Sequence, residues 1–86
     1  MKVVALPIEC IAWFNEDGSP TPLKFRIADE NGNTTIKINQ VIHKEKEKFA
    51  GNHMYVFDCQ SEIDNEIKRY QLKYSLASCK WMLFKI

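Results

Sequence analysis

The sequence predicts an all-β fold: a single small antiparallel meander of about six strands over residues 1–86, curled into a partly open, SH3/OB-like barrel. Three observations carry this expectation. Arg69 to Leu76 alternates polar and apolar residues, which places Tyr70, Leu72, Tyr74 and Leu76 on one face of a strand and Arg69, Gln71, Lys73 and Ser75 on the other. Turn signals cut the chain at short intervals, and no stretch repeats apolar residues at helical spacing over enough length to bury a helix face. A six-stranded sheet with no helix to cover it must curl on itself, because sheets twist and a flat one would leave a face bare.

The first strand is expected from Val3 to Asn15, with Pro7 marking an edge position or a bulge where the strand could turn a barrel corner. Asp17-Gly18-Ser19-Pro20-Thr21-Pro22 reads as a longer loop, since two prolines withhold ladder donors beside a pair tolerant of positive φ. A second strand follows from Leu23 to Asp29, and Asn31-Gly32 is a strong hairpin signal leading to a third strand from Thr34 to Phe49. Within that third strand, His43 to Gly51 could instead form a short helix ending at glycine. Strand is preferred because Val41, Ile42 and Phe49 are too few apolar residues for an amphipathic helix, while alternating Lys and Glu would guard a sheet edge. Ala50-Gly51-Asn52 and Asp64-Asn65 turn the chain around strands from His53 to Ile63 and Glu66 to Leu76, and Ala77-Ser78 leads to a last strand from Lys80 to Ile86.

Composition bounds the function. With 86 residues, 45% hydrophobic and 27% charged, the chain has the make-up of an ordinary soluble domain. A net charge of +1 supplies no strong field toward DNA, RNA or an anionic membrane. Three cysteines without a CxxC argue against a disulfide framework, and Pro7 and Glu9 interrupt the only N-terminal apolar run, so a cytoplasmic location is expected. No apolar stretch approaches the ~20 residues that cross a bilayer as a helix.

No catalytic, cofactor or metal constellation is legible, and an enzyme is not expected. Cys59 would need a base, and its parity with Tyr55 and Phe57 reads as a buried thiol; Cys10 and Cys79 fare no better. His43, His53, Cys59 and Cys79 are too scattered for zinc. Asp17, Asp29, Glu30, Asp58, Glu62, Asp64 and Glu66 lie mostly at turns and form no convergent pair.

Two surfaces remain as candidates. The first, fourth and last strands are apolar on both parities, unlike the strand around Tyr70, and a small barrel has one interior. The extra apolar set must be covered by a loop, stay exposed, or pack on another chain. The outer set is taken as Ile11, Trp13, Met54, Val56, Trp81 and Leu83, and a homodimer contact or an unknown protein partner is expected there. The alternative is a weak nucleic-acid face using Lys24, Arg26, Lys37, Arg69 and Lys73. It lacks stacking partners if Tyr70 and Tyr74 are in the core.

Taken in order, Ile11-Ala12-Trp13-Phe14, Phe25-Arg26-Ile27, Ala50-Gly51-Asn52, Val56-Phe57-Asp58-Cys59-Gln60, Arg69-Tyr70-Gln71-Leu72-Lys73-Tyr74 and Cys79-Lys80-Trp81-Met82-Leu83 resemble a family of small, uncharacterised bacterial all-β proteins. The resemblance covers nearly the whole chain and implies the barrel-like fold. It carries over no activity, cofactor or site residue.

Overall fold

A computed structural model describes residues 1–30 and 32–86. Its strands are β1 (Val3–Phe14), β2 (Pro20–Asp29), β3 (Gly32–Lys37), β4 (Gln40–Phe49), β5 (Asn52–Ile63), β6 (Glu66–Ser75) and β7 (Lys80–Lys85). All pairs are antiparallel, in the order β3-β2-β1-β7-β6-β5-β4, and the sheet curls into a partly open barrel. No helix occurs among the described residues, so the Lys/Glu-rich segment after Val41 is strand, as its pattern suggested.

Two corners make the curl. β1 pairs with β7 from Val3 to Ile8 and with β2 from Glu9 to Phe14, so one strand serves both halves of the sheet. The switch follows a register irregularity between Val3 and Leu6, where Ala5 takes a φ of 45°, and includes Pro7, which has no ladder donor to offer. The second corner breaks the expected third strand into β3 and β4. Ile38 N–H donates to the Leu23 carbonyl at 3.0 Å and the next residue, Asn39, donates to the Gln60 carbonyl at 3.1 Å. Successive residues thus bond in opposite directions, and the chain passes from the β2 side of the barrel to the β5 side.

The turns follow their chemistry. Phe49 pairs with Asn52 and Ile63 with Glu66, leaving two-residue loops whose members all have positive φ: Ala50 (49°) and Gly51 (86°), then Asp64 (52°) and Asn65 (65°). That is the type I′ geometry whose twist matches the flanking strands. Between β2 and β3 a hairpin forms, but Gly32 pairs with Asp29 and belongs to the strand; Asn31 lies outside the described residues. Pro20 and Pro22, expected in a loop, open β2. They are tolerated because β3 pairing starts only at Lys24 and the β1 register slips between Ile11 and Ala12.

The interior is filled by Phe25, Ile36, Ile38, Phe57, Cys59, Tyr70, Leu72, Tyr74, Trp81 and Leu83. Tyr70, Leu72 and Tyr74 confirm the inward parity read from the alternating strand; Leu76, expected with them, lies past the end of β6 and is exposed. Each buried Leu or Phe contributes about 1.5–3 kcal/mol relative to exposure. The Ser61 hydroxyl, also buried, donates to the Lys37 carbonyl at 2.7 Å and is hydrogen bonded to the Tyr70 hydroxyl, which ties the end of β3 to β5 and β6.

Candidate functional site

The outer face of β1, β2 and β3 carries the exposed Ile11, Trp13 and Leu23 together with three cations, Lys24, Arg26 and Lys37. Because Cys10 and Ala12 pack inward, strand alternation turns Glu9, Ile11 and Trp13 outward; Ile11 is 55% exposed and Trp13 66%. The ladders align them in rows: Glu9 beside Arg26 beside Thr35, Ile11 beside Lys24 beside Lys37, and Trp13 beside Thr21. The register slip at Ile11/Ala12 leaves Leu23 without a partner in β1, and it too is exposed. Arg26 is held by Glu9 at 2.7 Å. An open hollow of about 360 Å³ lies among Glu9, Ile11, Lys24, Arg26 and Thr35.

The other residues expected at an outer contact behave differently. Trp81 (9% exposed) and Leu83 (1%) are interior: Trp81 stacks against Tyr74 and Phe57 at 4.8 and 5.5 Å between centroids. The outer parity of β7 is Met82 and Phe84. On β5, Met54 and Val56 do face outward, yet Met54 is half-buried and Val56 is only 3% exposed. The cover is a charged side chain of the same sheet. Lys73 stands beside Val56 in the β5–β6 ladder, and its ammonium pairs with Glu47 on β4 at 2.9 Å, so the two side chains together bridge the outer face of β5. The same ammonium lies 3.8 Å from the Phe84 ring centroid. An aliphatic stem with a paired head covers apolar surface that alternation alone would leave bare.

The cationic candidates divide the same way. Lys24, Arg26 and Lys37 share the β2–β3 outer face, and Trp13 and Ile11 lie on the neighbouring strand. Arg69 and Lys73 sit on β6, separated from β2 by β1 and β7. Lys73 is engaged with Glu47 and Phe84 and is mostly covered. The five do not form one surface.

The titratable interior is arranged against ionisation. Burial pushes the Cys10 thiol up to about 12, against a smaller opposing effect of a backbone hydrogen bond at Leu23. Burial and then the neighbouring Asp58 carboxylate push Cys59 up to about 12, and burial raises Tyr70 to about 12 despite its bond with Ser61. Neither buried thiol is poised as a nucleophile. Cys79 is exposed in the β6–β7 turn with a φ of 57°, and His43 and His53 are exposed. Among the described residues no group of three or more His, Cys, Asp or Glu could hold a metal ion. Among the described residues no helix is long and apolar enough to cross a membrane.

Sequence reasoning missed Leu23 and Thr35 on the outer face and Ser61 in the interior. Ser61 carried a usable signal, since it shares the inward parity of Phe57 and Cys59. Leu23 carried none, because its exposure comes from the bulge. No protein-family model, curated protein or solved structure matches this chain.

Proposed function

We propose that the chain is a non-enzymatic, cytoplasmic protein-interaction domain that docks a protein partner on the outer face of β1–β3. The observation that carries this reading is Trp13, which projects from the C-terminal end of β1 at 66% exposure, on the face that also carries the exposed Ile11 and Leu23. Tryptophan in such a setting is a common energetic anchor of protein contacts, and Lys24, Lys37 and the Arg26–Glu9 pair give it a polar rim. The rim also bears on the partner. A twofold contact of this face with itself would bring Lys24, Arg26 and Lys37 of two copies onto one seam with only Glu9 to offset them, so an acidic partner suits the face better than a second copy.

The proximity of Trp13 to Lys24 and Lys37 also supports a second reading, a single-stranded nucleic-acid platform. It is the weaker one. With Arg26 held by Glu9, two cations remain to meet phosphates, and the expected slope of log K against log salt is only about −1.4.

Affinity capture from the native host with wild type and Trp13→Ala, with and without nuclease, separates these. A captured protein that survives nuclease and is lost with Trp13→Ala is the expected outcome. Identical captured proteins from both baits would end the role of Trp13, and nuclease-sensitive recovery would reverse the ranking.

A further inference from the structure

The barrel has two open edges, and they are built differently. The β4 edge carries Lys44, Lys46 and Lys48 alternating with Glu45 and Glu47. Lys44 pairs with the inward-facing Phe57, and its ammonium crosses the mouth to the Pro20 carbonyl at 3.0 Å, lying 4.7 Å from the Tyr55 ring centroid. An inward-pointing charge on an edge strand prevents pairing with another chain. The β3 edge has no such guard: Gly32-Asn33-Thr34-Thr35-Ile36-Lys37 has no proline, and its single charge, Lys37, stands on the outer face.

The direction of the free groups on β3 can be read from its bonds. Ile38 N–H points to β2, where it donates to Leu23, while the Lys37 carbonyl points away and accepts from Ser61. Bonding direction alternates along a strand, so the N–H and C=O of Asn33 and Thr35 point away from β2. They face the side where β3, as the terminal strand, has no ladder partner among the described residues.

We infer that the β3 edge, through Asn33 and Thr35, accepts an extended segment of a partner protein as an added antiparallel strand whose side chains alternate between acidic and apolar. Main-chain bonds to an exposed edge supply affinity, and alternate side chains supply specificity. The outward side chains of the added strand lie beside Thr35 and Lys37, in the rows that hold Arg26 and Lys24, which calls for acidic residues. Its inward side chains lie beside Thr34 and Ile36, on the side where Ile36 is buried in the core, and this calls for apolar ones. The inference rests on the interaction-domain reading above and names the partner segment's chemistry and binding mode.

The test is a capped seven-residue peptide alternating Glu and Val, titrated into the full chain with amide exchange followed residue by residue. Saturable binding with new protection at Asn33 and Thr35 is expected. A Lys/Val peptide, and a Glu/Val peptide N-methylated at the amides of its bonding edge, should each bind about tenfold more weakly or worse. Thr35→Pro removes an N–H that the β2 ladder does not use, so the fold should persist while binding falls about tenfold; Thr35→Val should leave binding intact. The N-methylated peptide keeps the test decisive should the proline variant not fold. Absence of saturable Glu/Val binding up to about 1 mM, or binding without protection at Asn33 and Thr35, overturns the inference. So does a dimer in light scattering that Thr35→Pro dissolves, which would make the occupant a second copy. A captured partner that is lost with Trp13→Ala but kept with Thr35→Pro ends the added strand while leaving the docking face standing.

Discussion

Lys73 shows how one side chain decides whether a surface is available. Beside the buried Val56 in the ladder, its head pairs with Glu47 across β5 and its charge lies over Phe84. The ion pair, partly exposed at Glu47, is worth about 0.5 kcal/mol, whereas uncovering outer apolar area of this size costs about 1–2 kcal/mol. Lys73→Ala should therefore lower unfolding free energy by about 1–2 kcal/mol, and Lys73→Met, which keeps a flexible apolar stem, by less than half of that. Urea titration of both variants checks it; equal losses would show that charge rather than cover is the main contribution. The sequence displays Val56 and Lys73 with opposite expectations, one as contact and one as cation. Their mutual cover depends on cross-strand register, which no single strand reveals.

At the scale of elements, legibility follows how local the cause is. The alternation of β6, the loops at Ala50-Gly51 and Asp64-Asn65, and the guarded β4 edge were all readable because each rests on neighbouring residues. The parity of β7 was not, since Trp81 and Leu83 compete with Met82 and Phe84 on equal hydrophobicity. The connection from Leu76 to Cys79 held the answer: it sets Ser75 opposite Lys80, so Tyr74 meets Trp81 and Leu72 meets Leu83, and the known parity of β6 passes to β7. The break at Ile38-Asn39 was hidden for the opposite reason, being a consequence of barrel curvature and of bonds to Leu23 and Gln60 far away in sequence. Ser61 secures that break. Ser61→Ala leaves the Lys37 carbonyl and the Tyr70 hydroxyl without their shared partner, for an expected loss of about 1–2 kcal/mol, and should raise exchange in β3 before β6. Uniform exchange across the sheet would show that Ser61 does not act on β3 in particular.

For the molecule as a whole, the interior holds the acidic protons of Cys10, Cys59 and Tyr70, and also of Tyr74, which its bond with Cys79 and then burial raise, and this ties stability to alkaline pH. Cys10, Cys59 and Tyr70 are held neutral chiefly by burial, with folded values near 12 against ordinary values of 9 for a thiol and 10 for a phenol. The unfolded chain releases these protons first as pH rises, so between about pH 9 and 12 it binds fewer protons than the folded chain, and stability falls with pH across that window. Below about pH 9 both states hold these protons and these groups impose no slope. Urea midpoints should thus be flat in this respect from pH 7 to 8.5 and decline from about pH 9, with the phenols adding to the decline above about pH 10. Tyr70→Phe keeps the ring that packs at 5.4 Å from Phe25 and leaves Ser61 free to donate to Lys37, so it tests the proton rather than the packing. It should be less stable at neutral pH through the lost hydroxyl bond yet show a shallower decline above pH 10. A decline of unchanged steepness in Tyr70→Phe would place the alkaline sensitivity on groups other than the Tyr70 phenol, and one that began below pH 8 would place it outside the thiols as well.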